Sequence, residues 1–293
     1  MTKQILSKLI GLYLNILAYV FPKIAARKGF QLFCHPFRTP LKNYQHQFLN
    51  SADLFSFDHD GVTIQGYRWG NGEKKILFLH GWQSHTFRWK AHIEALSTEE
   101  YSIYAIDAPG HGLSGGQYLS VPYYSAVIQQ LVGSIGNVHA IVAHSVGSFA
   151  SLHAFHQNPD LPINKLVLLA PPGEASDFIE FYQQSLNLSS RTIGLVLGQF
   201  EKEFKNPITY FSTQKFAADV PVQGLIIHDE EDLETPYHYA VQINERWKAS
   251  TLITTKGLGH NLKSKEVLKA IVDFISQPEH QPVMMVNKNL VLE

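Results

Sequence analysis

The sequence predicts an α/β fold, with a mostly parallel central β-sheet and helices on both faces. Three observations carry this. From about residue 52, short runs of Val, Ile and Leu alternate with longer helix-like stretches, which is the pattern of strands buried on both sides. The composition, 45% hydrophobic and 17% charged, is that of a folded globule. The 293 residues supply one large core and leave no room for a second domain of similar size.

Charge and cysteine narrow the function classes. The formal net charge is −1, so no global field draws nucleic acid or an anionic surface to the whole protein. Cys34 is the only cysteine, which excludes an internal disulfide and leaves the compartment open.

Residues 1–50 read as a helical extension ahead of a main domain at 51–293. Lys3 and Lys8 precede an apolar block, Leu9–Phe21, and Lys23, Arg27 and Lys28 follow it. A secretory signal would end in small residues there, and a bilayer span needs about 20 apolar residues. Gln4, Lys8, Gly11 and Asn15 recur at helical spacing and give the helix one narrow polar stripe. A helix packed on the globule is the first reading. A peripheral membrane contact through residues 5–21 is the second, because so wide an apolar face suits an interface; a cleaved signal is the third. The expected location is cytoplasmic, with the membrane surface as its alternative.

Residues 54–81 contain three β-like runs, two of them joined at Asp60-Gly61, a hairpin signal. The third run is Ile76–Leu79, and further strands are expected at Ser102–Ile106, Ala140–Ala143, Lys165–Leu169, Leu225–Ile227 and Thr251–Thr254. Helices are expected at Tyr123–Val132, Val146–His156, Tyr237–Trp247 and Lys265–Ile275. Between Leu169 and Pro221 no strand is evident. Ile193, Val196, Leu197, Phe200 and Phe204 fall at helical spacing after Ser189 and Ser190 as caps, so residues 172–220 read as a helical insertion at the carboxyl end of a central strand. Ligands bind at such ends in open α/β sheets. The final segment, 277–293, is open to three readings: packing on the core, extending the sheet, or joining two subunits.

Chemistry concentrates at strand ends. At Ala143-His144-Ser145-Val146-Gly147 a strand meets a helix. A serine on so sharp a turn presents its hydroxyl, and small residues two positions away let the backbone pass. The helix starting at Val146 points N–H groups at developing negative charge. His80-Gly81-Trp82 ends an earlier strand, GLGHNL (257–262) places His260 in a glycine-bearing loop after the last strand, and five acids crowd 229–234.

The order Ser145, acid, His260 resembles the α/β-hydrolase superfamily, in its serine-nucleophile, esterase- and lipase-like branch. The motifs that carry the likeness are HGW at 80–82, DAPGHGLSGG at 107–116, the elbow, H-x-x-x-D-x-x-x-P at 228–236 and GLGH. The chain departs from the pattern at Ala143 and Asp229, where glycine is usual. The resemblance implies a hydrolase with the insertion as a helical lid. It implies Ser145 as nucleophile, His260 as base, Asp232 as the acid orienting it, and the backbone N–H groups of Trp82 and Val146 as oxyanion hole. The acid could otherwise be Asp229; Glu230, Glu231 and Glu234 read as solvated charges. His80, His144, Phe178, Phe181 and Phe200 are candidate pocket residues, with the insertion's rings equally suited to packing. His111, Asp107 and Ser114 read as stabilising their own loop. No metal and no cofactor is expected: the stretch at 229–234 lacks calcium-loop spacing. The implied reaction is cleavage of a carboxylic ester in a small acyl substrate. Thioester or amide cleavage, acyl transfer, and a binding protein with a vestigial triad are the alternatives.

Overall fold

The computed structural model describes residues 3–278 and 289–292. Three helices lead, α1 (Lys3–Val20), α2 (Pro22–Phe33) and α3 (Asn43–Leu49), followed by β1 (Asp53–His59), β2 (Val62–Trp69) and β3 (Lys74–Leu79). Then come α4 (Lys90–Ala95), β4 (Tyr101–Ile106), α5 (Val121–Ile135), β5 (Ala140–His144), α6 (Val146–Gln157) and β6 (Lys165–Leu169). The insertion carries α7 (Ala175–Leu186), α8 (Ser190–Phe204) and α9 (Thr213–Ala217). After it follow β7 (Gln223–Asp229), α10 (His238–Arg246), β8 (Ser250–Thr255), α11 (Lys265–Ser276) and β9 (Asn289–Leu292).

The strands form one nine-stranded sheet in the order β1-β2-β4-β3-β5-β6-β7-β8-β9. β1, β2 and β4 pair antiparallel, and every other pairing is parallel. The β1–β2 hairpin turns on Asp60 (φ 51°) and Gly61 (φ 75°), the two positive φ values that a type I′ turn requires. Residues 289–292 settle one of the tail's three readings by extending the sheet beside β8; residues 279–288 lie outside the described ones. Strand order reverses around β3, which lies between β4 and β5. The loops after β3 and β5 therefore flank a crevice at the carboxyl edge, where such sheets bind ligands.

Successive residues of β3 face opposite sides. Ile76 and Phe78 join Trp89, Ile93, Val267 and Ile271 in a buried cluster with α4 and α11. α11 buries Val267, Ile271 and Ile275 at i, i+4 and i+8, and the Ser264 hydroxyl caps it by accepting from the Val267 N–H. At its far end the buried Lys165 ammonium donates to the carbonyls of Phe274, Ile275 and Gln277. That is a cation on the orphan acceptors of a helix C-terminus.

The expected boundary at residue 50 is corrected. The chain divides into two compact units, one formed by the first 35 residues with Glu174–Ser212, the other by Pro36–Gly173 with residues from Thr213 on. Residues 36–50 belong to the sheet unit because Arg38 ties them there, donating to the carbonyls of Gly112 (2.9 Å), Ser114 (2.6 Å) and Gly116 (2.8 Å). α1 and α2 are not a free-standing extension. They pack with α7 and α8.

The helical unit is assembled from close backbone approaches and one polar knot. A Cβ at Gly11 would sit 1.6 Å from the Leu186 carbonyl, and one at Gly29 would sit 2.6 Å from Val196 Cγ2. Asn15 Oδ1 accepts from the Ser189 N–H (2.8 Å) and the Thr192 hydroxyl (2.7 Å), while its amide donates to the Asn187 carbonyl (3.0 Å). The Ser189 hydroxyl caps α8 by accepting from the Thr192 N–H. Gly11, Leu14 and Ala18 are buried with this knot, so α1 turns much of its polar stripe inward and its large apolar side chains outward. Lys8 remains exposed. Among the described residues no helix is long and apolar enough to cross a membrane.

Candidate active site

β5 delivers Ser145 to the sheet's carboxyl edge in a conformation unusual for a non-glycine residue, φ 53° and ψ −121°. Such geometry costs about 1–3 kcal/mol and persists only where surroundings enforce it. Here the Ser145 N–H donates to the Leu169 carbonyl (2.9 Å), and its own carbonyl accepts from Ser148 N–H (2.9 Å). The neighbours leave no room for side chains. A Cβ at Gly147 would meet the His80 and Leu79 carbonyls at 2.8 Å, and one at Gly81 would meet Ser145 Cβ at 2.8 Å. Val146 opens α6, and Trp82, half-exposed, lies in the loop after β3.

The acid cluster resolves into distinct parts. Asp232 is buried in the turn after β7. One oxygen accepts from the N–H groups of Glu234 (2.8 Å) and Thr235 (3.0 Å); the other accepts from the Thr235 hydroxyl (2.8 Å) and from His260 Nδ1 (2.8 Å). Burial alone would raise its pKa, but hydrogen bonds from His228, His260 and the Thr235 backbone outweigh that and hold it far below the usual carboxylate range. An ionised carboxylate only accepts, so His260 Nδ1 carries the hydrogen of that bond.

Asp229 is not a bystander. It is fully buried; its oxygens accept from Thr255 Oγ1 (2.7 Å), Leu258 N–H (2.9 Å) and Glu231 N–H (3.0 Å). Burial pushes its pKa up, yet these donors leave it lowered. Asp229 therefore anchors the start of the loop that carries His260. Glu230, Glu231 and Glu234 are exposed, although Glu234 Oε2 comes within 3.9 Å of His260 Nε2.

His144 joins the elbow to that loop. Its Nε2–H donates to the His260 carbonyl (2.8 Å), and the two rings lie 4.8 Å apart at 59°. Burial, ahead of the nearby Arg88 charge, keeps it neutral by lowering its pKa well below 6.5. His144 is thus a brace rather than a pocket wall. The expectation for His80 is likewise corrected: it is fully buried, Nε2 accepts from the Ala108 N–H (2.9 Å), and Nδ1–H donates to the Gly81 carbonyl (2.8 Å). Both nitrogens are used inside the fold, and burial pushes its pKa down to about 3.

The insertion's rings lie in the helical unit. Phe200 is buried against Phe30, Phe204 and Phe211, so it packs that unit, whereas Phe178 is half-buried and Phe181 is 71% exposed. Sequence reasoning missed Thr235, whose hydroxyl lies 2.8 Å from Asp232 and 3.1 Å from His260 Nδ1. Its place between Asp232 and Pro236 was the available signal. His111 does stabilise its own loop, and it reaches beyond that loop as well. It donates to Pro109 in its own loop but also accepts from the Gln83 N–H (3.0 Å) beside Trp82. Asp107 and Ser114 do hold their loop, through Leu113 N–H to Asp107 and the Ser114 hydroxyl to the Asp107 carbonyl. Among the described residues no group of three or more His, Cys, Asp or Glu is placed to hold a metal ion.

The strand order, the strained elbow after β5 and the acid–histidine pair after β7 and β8 are features of the α/β-hydrolases, and the protein is one of them. The chain belongs to the serine aminopeptidase S33 family, whose model matches residues 70–256. It is 24% identical over 172 residues to the dihydrolipoyllysine-residue acetyltransferase component of an acetoin cleaving system from Cupriavidus necator, covering 58% of this chain and 43% of that one. It is 27% identical over 128 residues to a pimeloyl-[acyl-carrier protein] methyl ester esterase from Edwardsiella ictaluri, covering 40% of this chain and 48% of the relative. The chain thus spans less than half of either relative's length. Its fold is similar to the crystal structure of a membrane phospholipase A described as a novel bacterial virulence factor. That match has a TM-score of 0.62 and 13% identity, and it covers 92% of this chain and 99% of that one.

Proposed function

We propose that the protein is a serine hydrolase that cleaves a carboxylic ester in a small acyl substrate through an acyl-enzyme on Ser145. The observation that carries this reading is the Asp232–His260 pair at 2.8 Å, braced through His144 to the elbow that presents Ser145. Ser145 Oγ attacks the acyl carbon while His260 Nε2 takes its proton. The carbonyl oxygen becomes an oxyanion between the N–H groups of Trp82 and Val146, a type of contact worth about 2.7–4 kcal/mol per donor. Collapse breaks the ester C–O bond, and the leaving alcohol takes the proton from His260. Water then repeats the sequence at the acyl-enzyme and releases the acid. Asp232, kept ionised by its donors, fixes the His260 tautomer and stabilises the imidazolium.

The esterase and phospholipase names among the similar proteins support an ester. The family's description as a serine aminopeptidase favours a second reading, cleavage of an amide on the same residues. A fluorophosphonate probe tests the nucleophile: the wild type should label and Ser145→Ala should not, and equal labelling of the two defeats the assignment. Matched ester and anilide substrates with one acyl group then separate the readings. Faster turnover of the ester is expected, and faster turnover of the anilide selects the amide. Labelling with no turnover of either would remove both substrates and point to another acyl donor.

A further inference from the structure

The outward face of α1 has chemistry that the reaction does not use. Leu9, Leu12, Tyr13, Ile16, Tyr19 and Val20 are each 50–68% exposed. At 3.6 residues per turn they share an arc of about 120° and a length of about 17 Å. Monomeric proteins rarely leave so continuous an apolar strip in water, where it marks a contact surface. The strip is not the default result of helix packing. Gly11 and Asn15 take the inward side because their partners, the Leu186 carbonyl and the Ser189 N–H, are there.

The rim of the strip says what covers it. Lys28 Nζ stands 5.9 Å from the Tyr13 ring centroid, and the Arg191 guanidinium 5.1 Å from that of Tyr19. Lys8, Lys23 and Arg27 are exposed nearby in sequence, and no Asp or Glu precedes Asp53. Large apolar side chains, tyrosines at the edge and a cationic border are the components of a helix lying in a lipid headgroup layer. A second copy of the chain is a poorer occupant. A two-fold contact would bring two cationic rims together with no acid from α1 or α2 between them.

We infer that α1 docks this protein on the surface of an anionic phospholipid bilayer, lying in the interface rather than crossing it. The inference is independent of which acyl bond is cleaved. The full-length protein should float with vesicles of phosphatidylcholine and phosphatidylglycerol and much less with phosphatidylcholine alone, and added salt should release it. Lys8→Gln and Lys28→Gln should each lower partitioning about fivefold. Leu12→Ser with Ile16→Ser should lower it at least about tenfold. These side chains are exposed, so the melting temperature should hold. Ile16→Trp adds a reporter whose emission should shift to the blue on the anionic vesicles. Failure to float with either vesicle overturns the inference, as does equal flotation with both. A lipid-free dimer that Leu12→Ser with Ile16→Ser dissociates, without any vesicle binding, would assign the face to a second copy instead.

Discussion

The two compact units place polarity in opposite ways. In the sheet unit, buried polar groups lie at strand ends and hold loops: Asp107 for the turn after β4, Asp229 for the His260 loop, His144 between elbow and loop. In the helical unit, a polar knot at Asn15 and a glycine at position 11 take the inside, and large apolar side chains face out. Hydropathy therefore ranks burial well in the first unit and ranks it poorly along α1 in the second. The difference shows that a helix face is chosen by what its partner can accept. A partly buried asparagine with three hydrogen bonds and a glycine at a close crossing outweigh several exposed leucines.

The largest effect should come from separating two acids within one turn. Asp232→Asn cannot fix the His260 tautomer and should lower kcat by about 10⁴. Asp229→Asn leaves that pair intact and loosens the loop that holds His260, so kcat should fall only about tenfold, with stability lowered by about 1–3 kcal/mol. Steady-state kinetics with urea unfolding on both variants decides. A larger kcat loss at Asp229 would reverse the two roles.

The sheet unit should also carry the acid sensitivity. His80 and His111 are held down to about 3, each first by burial, and His144 is held well below 6.5 in the same way. All three protonate in the unfolded chain near pH 6.5 but not in the folded one. Their contribution is complete above that pH and is lost as pH falls toward their folded values. Asp232, also depressed in the fold, adds a second loss once pH drops through the unfolded carboxylate range near 4. The helical unit holds one histidine, His35. Calorimetry from pH 7 to pH 4 should show a falling melting temperature. A flat profile would contradict the buried neutral histidines.

One substitution should have opposite signs in the two units. Gly11→Ala forces α1 away from the Leu186 carbonyl and should destabilise by about 1–3 kcal/mol. Gly133→Ala, on an α5 position with nothing within 4 Å of the new Cβ, should stabilise by up to about 1 kcal/mol. Urea midpoints give both values.

The parallel strands β3 to β8 were legible within two residues because their apolar runs are buried on both faces and nothing competes with that signal. The place of Asp232 beside His260 was implied by the resemblance, with Pro236 and the spacing from His228 marking a turn rather than more strand. Three things were not. The anchoring part of Asp229 was hidden because its donor, the Leu258 N–H, lies 29 residues away. The grouping of α1 with α7 and α8 depends on Asn15 meeting Ser189, 174 residues on. A helical wheel shows two faces but not which one finds a partner.

His111 is the smallest and most discriminating case. Its Nδ1–H donates to the Pro109 carbonyl (2.9 Å), so Nε2 is the acceptor for the Gln83 N–H at 3.0 Å. Gln83 has φ 50°, a strained value for its type, and the Trp82 ring meets the imidazole edge-on at 5.7 Å. The imidazole thus fixes the loop whose Trp82 N–H is proposed to hold the oxyanion, which makes His111 a positioning residue. Losing one such bond, worth about 1 kcal/mol, should lower kcat about fivefold in His111→Ala. KM should barely change, because an oxyanion donor acts in the transition state rather than on bound substrate. His111→Gln keeps an acceptor near the same place and should recover part of the loss. A purely structural role would instead lower the melting temperature and leave the kcat of the folded fraction intact, and that result would detach the turn after β4 from the reaction.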